Sequence, residues 1–151
     1  MTAHMIRGLG IDAVDVARFI PWVTYSRTRL ARIFSADELN YCFAMPVSPE
    51  NLAIIAQRLA VRFAAREAFF KALSAFHPEH SVPFLTVCRY VAVTKQPSGA
   101  IGLLVDWASL EQKGLTVHGP ELRVHISATH TATTAFVTVI IESATDRHRV
   151  N

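Results

Sequence analysis

From Pro49 to about Phe76 the chain contains no internal glycine or proline and is rich in Ala, Leu, Arg, Glu and Phe. Such a run of helix formers predicts one long helix, around which the rest of a chain this size must be arranged. At about 100° per residue, Leu52, Ile55, Leu59, Phe63, Phe70 and Leu73 share one face, which is expected to lie in a core, while Gln57 and Arg58 read as facing water. Glu67 lies about 60° from Phe70, at the polar edge of the stripe, and Lys71 follows four residues later on the same side. Taken alone, these two are an ordinary surface pair worth a few tenths of a kcal/mol. Arg66 falls about 40° from Phe70, near the middle of the apolar arc, where a freely solvated cation is not expected.

The 151 residues are 51% hydrophobic, enough for one substantial core, so a single domain spanning 1–151 is expected. Fifteen Lys and Arg against twelve Asp and Glu give a formal charge of +3. That mild excess suits phosphate or an acidic protein partner and is too small to imply nucleic acid. Cys42 and Cys88 lie in apolar or strand-like surroundings without metal spacing, as reduced thiols of a cytoplasmic protein would. No segment approaches about 18 uninterrupted apolar residues and no secretion signal is evident, so neither membrane spanning nor export is expected.

In order, Ile6 to Ile11 reads as a strand, with Gly8 and Gly10 allowing close approach of backbone or ligand and Asp12 emerging at its end. A turn or short helix follows from Asp15 to Phe19, ahead of Pro21. Arg18, Arg27, Arg29 and Arg32 then make either one solvated helical face or a positive docking surface. Ser35 and Glu38 have capping-box spacing, placing a short helix from Asp37. His77 and His80 belong to a polar turn after the long helix, and no recognisable zinc spacing accompanies them. Val82 to Thr94 is read as strongly β-prone and pairs with Ile101 to Val105 as a hairpin around Lys95 to Gly99. Asp106 to Lys113 has helical character and closes at Gly114. In the next strand Leu122, Val124, Ile126 and Ala128 point one way, and Arg123, His125, Ser127 and Thr129 the other. It pairs with a last strand, Ala135 to Glu142, and a charged tail follows Ser143.

Three separated blocks, GLGIDAVDVARF (8–19), RFAAREAFFKAL (62–73) and HISATHTATTAFVTVIIE (125–142), together with RIFSADELNYC (32–42), make the chain resemble the phosphopantetheinyl transferases, in their small holo-acyl-carrier-protein synthase branch. The resemblance implies an α+β fold, an antiparallel sheet packed with a long helix. It also implies an enzyme that moves 4'-phosphopantetheine from coenzyme A to a serine hydroxyl of an apo acyl carrier protein, leaving adenosine 3',5'-bisphosphate. Asp12 and Glu67 take the positions of Mg²⁺ ligands, and Lys71 that of the phosphate-contacting cation. Ser127, Thr129 and His130 fall at the coenzyme A site, and Arg66 carries a cation that would reach a phosphate or cross a subunit boundary. Arg18, with Arg27 and Arg32 as additions, stands where relatives dock an acidic carrier surface. A homotrimer acting in fatty acid biosynthesis in the cytoplasm completes the expectation.

A hard divalent ion held by carboxylate oxygens suits cleavage of a pyrophosphate linkage, because negative charge accumulates on the leaving phosphate. Glu67, directly or through a water, is the expected base in preference to His130, and Lys71 would neutralise phosphate oxygens. Arg66 stands where lysine is usual in the family, Thr129 where serine is common, and Ala100 where proline is. The acceptor is either a freestanding carrier protein or a carrier domain within a large synthase. A noncatalytic module binding carrier protein or nucleotide with the same fold is the competing function.

Overall fold

The structure, a computed structural model, describes residues 3–116 and 121–145. Strand β1 (Ala3–Asp15) leads into two short 3-10 turns, Val16–Phe19 and Pro21–Thr24, then helices α1 (Arg27–Leu30), α2 (Ala36–Cys42) and α3 (Leu52–Phe76). After them come α4 (Phe84–Arg89), β2 (Val91–Lys95), β3 (Ile101–Val105), α5 (Trp107–Gln112), β4 (Leu122–His130) and β5 (Thr134–Thr145). The architecture is α+β. One antiparallel sheet has the order β1-β5-β4, and β2 and β3 form a separate hairpin.

The inner face of β1 is made of small residues, which explains how α3 comes so close to it. Gly8, Gly10, Asp12 and Val14 face the helix, whereas Leu9, Ile11 and Ala13 face out. A Cβ added at Gly10 would lie 1.9 Å from the Ala68 carbonyl oxygen, and one at Gly8 would lie 2.1 Å from that of Ala72. The helix answers with buried Ala65, Ala68 and Ala72, so backbone packs against backbone. Val137, Val139 and Ile141 of β5 complete the buried sheet face, with Val124, Ile126 and Ala128 of β4 half-buried beside them.

On its other side α3 meets an aromatic cluster. The ring of Phe63 lies 5.4 Å from Phe19, 5.6 Å from Trp22 and 5.8 Å from Phe84. The helix is therefore buried around much of its circumference rather than along one stripe. Gln57 and Arg58, expected to face water, are half-buried and tied down: Gln57 donates to the Thr131 carbonyl at 2.8 Å and Arg58 to that of Tyr41 at 2.9 Å.

Several expected elements take the predicted places. The Ser35–Glu38 capping box is present at the start of α2, β2 and β3 pair as a hairpin, and β4 alternates as expected. Two differ. Strand β1 runs on to Asp15, so Asp12 lies inside the strand rather than at its end. The segment expected as strand from Val82 opens instead with helix α4, capped at Pro83, and extends only from Val91. Val87 and Cys88 are buried from that helix, a tertiary demand that overrides the β preference of the local residues. Both cysteines are free and buried, and burial pushes their thiols up to about 11 at Cys42 and about 12 at Cys88. The expected turn at Gly119 and Pro120, and the tail beyond Thr145, lie outside the described residues.

Candidate functional site

Asp12 and Glu67 meet where β1 crosses α3. Asp12 is 8% exposed, and its Oδ1 accepts a hydrogen bond from Lys71 Nζ at 2.8 Å. The ammonium also donates to the Ile11 carbonyl at 3.1 Å, leaving one of its three donors uncommitted. Lys71 thus pairs with a carboxylate 59 residues away rather than with Glu67 one turn back on its own helix. Asp12 Oδ2 is buried and has no hydrogen-bond partner.

Glu67 is half-buried, and its carboxyl is held above the ordinary 4.5 by burial first and then by the neighbouring Asp12 carboxylate; Arg18 and Lys71 pull it part of the way back. Two carboxylates facing one another, one with an orphaned buried oxygen, form an arrangement that a cation would stabilise. Arg18 projects from the first 3-10 turn with its guanidinium carbon 5.0 Å from the Phe63 ring centroid. Strand, helix and turn therefore converge on one spot with two negative and two positive groups.

Arg66 does not belong to this cluster. It is fully buried, and all five of its N–H donors are used inside the protein. Nη1 donates to Glu38 Oε1 at 2.8 Å and to the Arg62 carbonyl at 3.1 Å. Nη2 donates to Glu38 Oε2 at 2.6 Å and to the Val91 carbonyl at 2.7 Å, and Nε donates to the Cys88 carbonyl at 3.3 Å. Glu38 in turn accepts from the backbone N–H of Ser35 at 2.8 Å and of Val93 at 2.9 Å. Burial alone would raise the Glu38 carboxyl, but Arg66 and the two backbone donors outweigh it and hold the carboxyl below 4.5. The expectation that Arg66 reaches a phosphate is corrected: its guanidinium has no donor left to offer.

The remaining expected residues are distributed over three other surfaces. His130 lines a cavity of about 200 Å³ with Tyr41, Arg58, Arg62 and Lys95. Lys95 donates to the Tyr41 hydroxyl at 3.2 Å, and the Arg62 guanidinium carbon lies 4.3 Å from the Tyr41 ring centroid. Arg62 is only 5% exposed, and its Nε is buried without a partner. Among the described residues no acidic side chain lines this cavity. Ser127 and Thr129 point away from it, onto the exposed face of the sheet, because they alternate with the inward Ala128. Arg27 and Arg32, with Arg89, line a larger cavity of about 840 Å³ beside α1 and α2, from which Arg18 is separate.

Sequence reasoning missed Arg58, Arg62 and Lys95 as a cluster and Glu38 as an ionic partner. A signal for the first was present: Arg58, Arg62 and Arg66 recur every four residues, which aligns them in one row along a helix.

The fold and the sequence together define a recognisable class. Residues 8–137 match the model of the 4'-phosphopantetheinyl transferase superfamily, and the chain belongs to that family. Among its relatives, a holo-[acyl-carrier-protein] synthase of Treponema denticola is 36% identical over 141 residues, which cover 91% of this chain and 99% of the relative. Another, from Anaeromyxobacter sp. strain K, is 37% identical over 143 residues, covering 91% and 97% respectively. The Chronobacterium ammoniagenes ACPS–CoA complex has the same fold, with a TM-score of 0.69 at 21% identity over 93% of this chain and 98% of that one.

Proposed function

We propose that the chain is a holo-acyl-carrier-protein synthase, transferring 4'-phosphopantetheine from coenzyme A to a serine of an apo carrier protein. The observation that carries this reading is the meeting of Asp12, Glu67 and Lys71 across β1 and α3. The serine oxygen attacks the phosphorus that bears the pantetheine arm. The bond from that phosphorus to the bridging pyrophosphate oxygen breaks, adenosine 3',5'-bisphosphate leaves, and the hydroxyl proton passes to Glu67.

Asp12 and Glu67 would hold Mg²⁺, which supplies charge neutralisation at the pyrophosphate. The orphaned Asp12 oxygen and the mutual repulsion of the two carboxyl groups support that assignment. Among the described residues no group of three or more His, Cys, Asp or Glu is arranged to hold a metal. Lys71 keeps one donor for a phosphate oxygen. The acid-free cavity of Arg58, Arg62, Lys95 and His130 receives the nucleotide phosphates of coenzyme A, with the unpartnered Arg62 Nε as a waiting donor. Ser127 and Thr129, on the outer sheet face, reach a coenzyme A site only if it is completed by a neighbouring copy.

The outer sheet face supports a homotrimer: Ile6, Leu9, Ile11 and Phe136 are large apolar residues left exposed there. Arg18, beside Glu67, docks the acidic carrier, with Arg27 and Arg32 on their separate cavity as additions. No described helix is long and apolar enough to cross a membrane, and we place the enzyme in the cytoplasm, in fatty acid biosynthesis, as one domain over residues 1–151. Chromatographic detection of adenosine 3',5'-bisphosphate tests the reading. It should form from coenzyme A only when apo carrier protein is present; coenzyme A binding without release would favour a noncatalytic module.

A further inference from the structure

Arg66 and Glu67 are neighbours on α3, yet one is sealed in the interior and the other lies at the site. Successive helical side chains are about 100° apart, so Arg66 and Ala68 project to nearly opposite sides of α3 with Glu67 between them. Ala68 is the residue whose carbonyl would be 1.9 Å from a Cβ at Gly10, so that side of the helix is wedged against β1. On the opposite side Arg66 ties the helix to α2 through Glu38, to the end of α4 through the Cys88 carbonyl and to β2 through the Val91 carbonyl. Rolling α3 about its axis would break several of these bonds at once, because the planar fork meets the carboxylate with both edges fixed.

From this we infer that Arg66 is a positioning residue: paired with Glu38, it sets the roll of α3 that presents Glu67 to Asp12, and it takes no part in holding coenzyme A. The inference rests on the reading of Glu67 as base and metal ligand. It differs from a purely structural role in what it requires of the pair. A buried ion pair replaced by apolar side chains of similar volume commonly leaves a protein as stable as before. Such a replacement restores packing but neither the directional fork nor the acceptor for the Ser35 and Val93 N–H groups, so some stability is lost and turnover should fall much further.

The test compares wild type with Arg66→Met/Glu38→Leu and with Glu38→Gln, reading kcat, the KM for coenzyme A, and Mn²⁺ binding by electron paramagnetic resonance with coenzyme A present. The double variant should fold, keep its KM for coenzyme A within about twofold, lose about 10²-fold in kcat and bind Mn²⁺ about 10-fold more weakly. A folded double variant with wild-type kcat and Mn²⁺ binding would reduce Arg66 to a structural role and overturn the inference. So would a raised KM for coenzyme A at unchanged kcat, which is the signature of a phosphate contact. If the double variant does not fold, Glu38→Gln, which keeps the side-chain volume and Arg66 but removes the carboxylate that both guanidinium edges meet, decides by the same readings. Wild type without transferase activity would refute the proposed function, and the Mn²⁺ titration would still decide the role of Arg66.

Discussion

Lys71 Nζ lies 2.8 Å from Asp12 Oδ1, joining the long helix to the first strand at the point where Glu67 also arrives. The lysine side chain is 55% exposed while the aspartate is 8% exposed, so the pair reaches from the interior to solvent. Because the ammonium is largely solvated, the pair adds little to stability, about 0–1 kcal/mol. Under the proposed function its value lies in holding a cation where phosphate charge would develop. Lys71→Ala should therefore lower kcat/KM by about 10²–10³-fold while barely moving the thermal midpoint. Steady-state kinetics beside a melting curve checks both halves, and equal losses of activity and stability would contradict this account.

Gly10→Ala should be among the more damaging single-methyl changes in the chain. The new Cβ would meet the Ala68 carbonyl oxygen at 1.9 Å and the Ala72 nitrogen at 2.6 Å, and both are backbone atoms that cannot swing aside. Strand and helix must separate, at a cost of about 1–3 kcal/mol or more. Because Asp12 lies two residues along the same strand, activity should fall further than stability. Urea unfolding and kinetics on one preparation would show it.

The Arg66–Glu38 pair predicts a pH dependence with a definite sign. The Glu38 carboxyl is held below its ordinary 4.5 in the folded chain, chiefly by Arg66 against the opposing effect of burial. Its contribution to stability is thus fully present above pH 4.5 and is lost as the pH falls from there through the lowered folded value. Removing one partner leaves an uncompensated buried charge, and Arg66→Ala should cost about 3–5 kcal/mol near neutral pH. The double replacement by Met and Leu should flatten the acid limb of the stability curve. Denaturant titrations at stepped pH would reveal an unchanged limb if the pair is not its source.

The outer sheet face predicts assembly. Ile6 is 66% exposed, Leu9 59% and Ile11 61%, a concentration of apolar surface that water disfavours. Light scattering should give three times the chain mass for wild type and a smaller species for Ile11→Lys. A monomeric wild type would remove the trimer from this account.

Much of the fold was legible because its signals are local. The long helix, the Ser35–Glu38 capping box, the β2–β3 hairpin and the alternation of β4 each follow from residues within a turn or a strand of one another. Helix α4 was not, because Phe84, Val87 and Tyr90 carry β preference and the helix is imposed by what Val87 and Cys88 pack against. At the candidate site, Asp12, Glu67 and Lys71 were singled out from motif resemblance, and their meeting depends on two glycines whose partner helix lies about sixty residues on. Arg66 was misread for the converse reason. Its place on the apolar arc was visible, but its partner Glu38, 28 residues earlier, already had a local role as a cap.

The central claim, that Asp12 and Glu67 serve phosphopantetheine transfer, is tested most directly by intact-mass analysis of an apo carrier protein incubated with this chain, coenzyme A and Mg²⁺. Wild type should add one phosphopantetheine to the carrier serine. Asp12→Ala and Glu67→Ala, folded by circular dichroism, should leave the carrier mass unchanged over the same interval. Full modification by either variant at the wild-type rate would contradict the account.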